Sequence, residues 1–292
     1  MASRIEDVSG RDVVRAADDN FAAHASWGLE MLPGATVRIA EDLTLVDSGL
    51  ACDAFNIVCR ARLSVETAAE RTREAVAYFT AAGRPFSWWV SPADAPNDLP
   101  ELLRRAGLSE ASSERLLMLD LDVDIALVPG QEAATPNLEI RPVASRAELR
   151  SYAAVTASAT AAVTESATRE DPEVARFFDL AAPSLLRPDS PRRLFVGYVG
   201  GVPVATAELI AAGGVAGLYN VATEPAYRRK GIGSAVTVHA LGAARANGET
   251  LAILQAVPAR ERLYARLGFR PIGTILEFKP KNGFPGPTSA AL

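Results

Sequence analysis

One succession of segments occurs twice in this chain, and it restricts the possible folds more than any single motif does. The stretch 55–63 alternates apolar and polar positions (Phe55, Ile57, Cys59) and reads as a strand. A helix over 65–82 follows, with Ser64 before it and Gly83 at its end. A buried strand over 85–90 carries Phe86, Trp88 and Trp89; then come a short helix over 97–106, Gly107 and a strand over 114–123. The same order returns as 215–223, 231–246, 251–257, 258–267, Gly268 and 274–278. The short helices even end alike, Arg104-Arg105-Ala106-Gly107-Leu108 against Ala265-Arg266-Leu267-Gly268-Phe269. Such self-similarity points to two copies of one α+β fold.

The remaining segments fit around these copies. A helix is expected over 11–32 and a strand over 37–46, joined to the next strand through Asp47-Ser48-Gly49. A strand over 138–143 precedes a helix from Ser145, with Glu148 at its capping-box position. Asp171-Pro172-Glu173 starts a further helix. Strands over 193–199 and 204–210 lead to 215–223, with Gly200-Gly201 and Gly213-Gly214 at hairpin turns. Val128-Pro129-Gly130 and Thr135-Pro136-Asn137 mark a linker. The expected division is therefore a first domain over 1–126, a linker over 127–137, a second domain over 138–280 and a loose tail over 281–292.

Composition narrows the function classes. The 292 residues are 49% apolar and 22% charged, enough for real cores. The formal net charge of −5 does not favour nucleic acid as a partner. No apolar run reaches bilayer length, and the first residues lack the apolar stretch of a signal peptide, so a cytoplasmic enzyme without a membrane partner is expected. Cys52 and Cys59 stand close together without a nearby histidine, and read as small buried residues rather than zinc ligands. With His24 and His239 the only histidines, neither a histidine-rich metal site nor a Ser-His-Asp triad is expected.

The two copies differ where chemistry belongs. Between strand and helix the second has Glu224-Pro225-Ala226-Tyr227-Arg228-Arg229-Lys230-Gly231-Ile232-Gly233-Ser234, whereas the first passes from Leu63 to Ser64 without a glycine. The first-turn amides of a helix lack internal acceptors and carry the positive end of the helix dipole. Glycines let an anion approach them closely, and Arg228, Arg229 and Lys230 attract it. This suits a pyrophosphate. It is neither a Walker loop nor a dinucleotide fingerprint, both of which need other glycine spacings.

In this context the sequence resembles the GCN5-related N-acetyltransferase (GNAT) superfamily. The stretch from Val221 to Ser234 is similar to its motif A, including Arg/Gln-x-x-Gly-x-Gly/Ala, and Leu263-Tyr264-Ala265-Arg266-Leu267-Gly268-Phe269 is similar to the end of its motif B. The resemblance implies an α+β fold of two GNAT-like domains, the first degenerate. Each would have a mainly antiparallel central sheet with a splayed strand pair, flanked by helices. It implies acetyl-CoA as cosubstrate, with pantetheine on the backbone of Val221, Ala222 and Thr223. The pyrophosphate would lie on the loop Arg228, Arg229, Lys230, Gly231, Ile232, Gly233 and Ser234. It implies direct attack by an amine, of a small molecule or a peptide, on the thioester, with Tyr264 hydrogen-bonding the leaving thiolate. Ala256-Val257-Pro258-Ala259-Arg260 departs from the family, where Asn, Ser or Thr often contacts pantetheine.

Two further candidates keep alternatives. Glu208 is either a general base or a solvent-facing strand carboxylate; Asn220 either orients substrate or water, or satisfies a backbone bulge. In the first copy, Trp88 and Trp89 face opposite ways, and Asp94 and Asp98 face either an acceptor or solvent. The polar stretch 156–168 lies where the family builds acceptor contacts. Competing with amine acylation are a non-catalytic acyl-CoA-binding module and transfer to a hydroxyl. Oligomeric state is left open.

Overall fold

The computed structural model describes residues 10–122, 137–161 and 172–281. Most of the expected linker and tail lie outside these, as does part of the polar stretch 156–168. The chain forms two compact units, one around Arg11–Glu114 with the final strand from Gly273, the other around Arg115–Ile272.

The N-terminal unit contains helices α1 (Gly10–Ser26), α2 (Ala68–Ala82) and α3 (Leu99–Arg105). Its strands are β1 (Thr36–Ile39), β2 (Thr44–Asp47), β3 (Ile57–Cys59) and β4 (Ser87–Val90), with the start of β5 (Leu108–Asp120) and most of β11 (Arg270–Pro280). The expected strand over 37–46 is two strands, because the chain turns at Ala40, whose N–H donates to the Leu43 carbonyl (3.0 Å). The expected helix over 11–32 ends at Ser26, ahead of Gly28, which takes the left-handed φ of 80° and leads into a 3-10 turn, Leu29–Met31. β3 and β4 are parallel, pairing Ile57 with Ser87 and Val58 with Trp88. Phe79 stacks on Phe86 at 4.5 Å, and Trp88, Leu99, Leu103 and Phe278 share that core. Trp89, on the other face, meets Phe21 edge-on at 5.6 Å.

The C-terminal unit contains β6 (Leu138–Pro142), α4 (Arg146–Ala161), α5 (Pro172–Leu185), β7 (Arg192–Val199), β8 (Val202–Ala212), β9 (Val215–Thr223), α6 (Ile232–Ala246), β10 (Leu251–Ala256) and α7 (Glu261–Arg266). Its strand order is β6-β7-β8-β9-β10, completed by β5 from Arg115. β6 to β9 are antiparallel and β10 runs parallel to β9. Ser145 caps α4: the Glu148 N–H donates to Ser145 Oγ (3.3 Å), and the Glu148 carboxylate accepts from the N–H of Ala144, one residue before the cap (2.9 Å). Val236, Ala240 and Ala244 of α6 pack on Val204, Leu218 and Leu254 of the sheet.

The last strand of each repeat departs from the expected division. Residues 115–120 of β5 pair antiparallel with β10, from Leu251 opposite Asp120 to Ala256 opposite Arg115. Residues 276–278 of β11 pair antiparallel with β4, Leu276 opposite Val90 and Phe278 opposite Trp88. Each copy's final strand thus completes the sheet to which the other copy contributes the preceding parallel pair. The compact units break the chain at Glu114 and Ile272, not at the 127–137 segment. A strand's alternation specifies which face is buried but not which of two like edges it joins.

Candidate functional site

β9 is the strand on which the candidate site is centred, and it has different partners along its length. On one edge it follows β8 to Thr223, paired with Ala205. On the other it pairs with β10 only from Ala216 to Leu218. Beyond Leu218 the parallel ladder stops, and no isolated bridge rejoins the two strands among the described residues. The register against β8 shifts between Thr206 and Glu208, and Asn220 stands in this bulge with φ 49°. Asn tolerates the left-handed region better than most residues.

The chain then enters a 3-10 turn, Pro225–Tyr227, and reaches α6. Gly231 caps that helix with φ 80° and makes no side-chain cap, a conformation in which a Cβ is strained. The first helical hydrogen bond runs from the Ala235 N–H to the Gly231 carbonyl (3.0 Å), so the amides of Ile232, Gly233 and Ser234 precede the ladder. A Cβ on Gly233 would stand 3.3 Å from Thr223 Oγ1, so this glycine lets the helix start close to the end of β9. Arg229 also adopts a positive φ, 63°. The loop's cations divide their tasks. Arg228 Nε donates to the Thr223 carbonyl (3.0 Å), and Lys230 Nζ donates to the Ala226 carbonyl (3.1 Å) and lies over the Tyr227 ring. Ser158 of α4 donates to the Glu224 carboxylate (2.7 Å), bracing the loop from the other side.

Tyr264 lies on α7, 7% exposed, in the same apolar cluster as Leu218, Val221 and Ala256. Its ring meets Phe269 edge-on at 5.8 Å. The departing segment after β10 forms a 3-10 turn, Pro258–Arg260, fixed by the Arg260 N–H on the Val257 carbonyl (2.8 Å).

Glu208 does not face solvent. Its side chain is 0% exposed and ion-paired with Arg192 Nε at 2.7 Å, itself 4% exposed. Glu208 Oε2 accepts from Asn220 Nδ2 (2.9 Å) and from the Tyr152 hydroxyl (3.3 Å). Burial first, then the Glu208 charge, push the Tyr152 phenol well above its ordinary range, so Tyr152 stays a donor. The sequence reading did not single out Arg192 or Tyr152. An Arg at a strand start and a Tyr within a mostly apolar helix face give no local sign that they meet a carboxylate far along the chain.

The first copy has the same opening but fills it. Beyond Val58, Arg60 takes φ 55°, as Asn220 does two residues past Leu218. There the Ala95 N–H donates to the Ala61 carbonyl (2.8 Å), and the Leu63 N–H donates to the Ala95 carbonyl (3.1 Å). The chain's own segment thus occupies the strand edge. Asp94, beside it, is held by the Ser91 N–H (3.0 Å), and its carboxyl is pushed well up, by burial first and then by Asp18. Asp98 is exposed at the start of α3.

Comparisons with known proteins fit this geometry. Residues 190–271 match the family model for the acetyltransferase (GNAT) domain. This segment is similar to a GNAT domain. It spans β9, its bulge, the α6 loop and Tyr264. A solved GCN5-related N-acetyltransferase from Kribbella flavida is similar over 89% of this chain and 95% of that one, at 21% identity and TM-score 0.63. A tandem GNAT protein from the clavulanic acid biosynthesis pathway is similar over 95% and 96%, at 13% identity and TM-score 0.55. A putative GNAT-family acetyltransferase from Novosphingobium aromaticivorans is similar over 91% and 99%, at 15% identity and TM-score 0.52. At these identities the likeness establishes the fold, including its extent over both units. No curated protein matches the sequence. Among the described residues no cluster of His, Cys, Asp and Glu could hold a metal ion, and no helix is long and apolar enough to cross a membrane.

Proposed function

We propose that the GNAT-like domain moves an acyl group, acetyl in the first instance, from coenzyme A to an amine by direct attack in a ternary complex. One observation carries the reading: the β9–β10 ladder ends at Leu218, and β9 then runs on through a turn into a helix whose N-terminus has no side-chain cap. A gap between parallel strands offers backbone groups to an extended amide chain such as pantetheine. The amides of a helix's first turn suit its diphosphate. Val221, Ala222 and Thr223 then line the pantetheine, and Arg229 to Ser234 hold the diphosphate, with Arg228 bracing the loop.

An amine lone pair attacks the thioester carbonyl carbon. A backbone N–H near Val221 stabilises the developing oxyanion. The tetrahedral species collapses, the C–S bond breaks, and sulfur leaves with the electron pair. The nitrogen loses its extra proton to water, and water protonates the thiolate. Tyr264 hydrogen-bonds that thiolate; a phenol with pKa about 10 is too weak an acid to be driven to protonate a thiolate whose conjugate thiol has pKa about 8.5.

A thiol-release assay with acetyl-CoA over panels of amines, peptides and alcohols tests this. Release with at least one amine is expected. Release with alcohols alone would move the reading to hydroxyl acylation. Coenzyme binding with no release from any acceptor would make the domain a binding module. The filled edge in the N-terminal unit supports a single coenzyme site per chain.

A further inference from the structure

We propose that Arg192, Glu208 and Tyr152 lock the Asn220 side chain with its oxygen turned to the acceptor, so that Asn220 selects an acceptor bearing N–H hydrogens and Glu208 positions it without taking a proton. The inference rests on the acyl-transfer reading above and deepens it.

The orientation follows from chemistry. A carboxylate only accepts hydrogen bonds. The amide atom 2.9 Å from Glu208 Oε2 is therefore the NH2 group, and the oxygen is the amide's other polar atom. Glu208 is pinned at both oxygens, by Arg192 Nε on Oε1 (2.7 Å) and by Asn220 and Tyr152 on Oε2. Every member except Asn220 is buried, so Asn220 is the exposed end of a chain of buried polar groups. It also stands in the β8–β9 bulge, two residues beyond the last β9–β10 pair, beside the backbone assigned to the thioester.

The same contacts disfavour Glu208 as a base. Protonating it would leave Arg192 a buried cation without a counter-charge, a costly arrangement. Its outer oxygen is covered by the Asn220 amide. An amide oxygen accepts a hydrogen bond but takes no proton near neutrality. This suits an amine, which attacks through its lone pair while keeping its N–H bonds. Those hydrogens become more acidic as nitrogen gains positive charge, so the bond to Oδ1 strengthens towards the transition state. A hydroxyl has a single hydrogen, which must leave to a base.

Steady-state kinetics on the full chain test the proposal. Asn220→Gly removes the amide and keeps the left-handed backbone. It should lower kcat/KM for the amine about tenfold, the effect of losing one hydrogen bond, and leave KM for acetyl-CoA unchanged. Glu208→Gln should lower kcat/KM without changing the shape of the pH–rate profile. Because that variant leaves Arg192 unpaired, the double variant Arg192→Gln/Glu208→Gln is measured beside it, with the same expectation. Full amine activity in Asn220→Gly would overturn the proposal while acyl transfer stood. Loss of the ascending limb of the pH profile in the Glu208 variants would overturn it by making Glu208 the base. A wild type that acylates alcohols and no amine would overturn the selectivity. A wild type that releases no thiol with any acceptor would overturn this inference and the acyl-transfer reading together.

Discussion

At the residue scale, Tyr264 separates packing from chemistry. Its ring is buried against Phe269, so Tyr264→Phe keeps the packing and removes only the hydroxyl. If the hydroxyl supports the leaving thiolate, kcat should fall about 10- to 100-fold, the range for a hydrogen bond to a charged group. The unfolding midpoint and KM for acetyl-CoA should stay near wild type. Unchanged turnover would return Tyr264 to the core. The turn from Arg228 into α6 was legible because its structural signals are local: a glycine with positive φ and a helix start lie within a few residues. Glu208 was not. Its environment comes from Arg192, Tyr152 and Asn220, brought together by strand register and helix packing. A solvent-facing carboxylate does not describe a side chain 0% exposed in an ion pair.

At the element scale, the repeat was readable as an order of strands and helices, and the parallel pairs β3–β4 and β9–β10 follow it. Membership of the final strands was not readable. Thr274–Phe278 looks like the end of the C-terminal copy, yet Phe278 is fully buried among Trp88, Leu99 and Leu103 of the N-terminal unit. Phe278→Ala should therefore destabilise the N-terminal unit by about 3–5 kcal/mol, the usual cost of such a truncation in a core. Hydrogen exchange would show the loss at β4 and α3. Loss of protection confined to α6 and β10 would contradict the strand assignment. The expected single strand over 37–46 failed for a related reason. Its alternation continues through a tight turn at Ala40, so periodicity gave no sign of the reversal.

At the scale of the whole molecule, two copies of one arrangement have diverged at their openings. Both place a left-handed residue two positions beyond the last parallel pair, Arg60 and Asn220. In one, Ala95 bonds the opened edge; in the other, the ladder ends before a glycine-bearing helix start. The claim on which the rest depends is that this helix start grips a diphosphate. Calorimetric titration of the full chain with coenzyme A and with pantetheine, which lacks the diphosphate and nucleotide, tests it most directly. The account predicts saturation by coenzyme A at about one equivalent per chain, with pantetheine bound at least about a hundredfold more weakly, the loss of roughly two charge-assisted hydrogen bonds. Equal affinity for the two ligands, two equivalents of coenzyme A, or no saturation at all would contradict it.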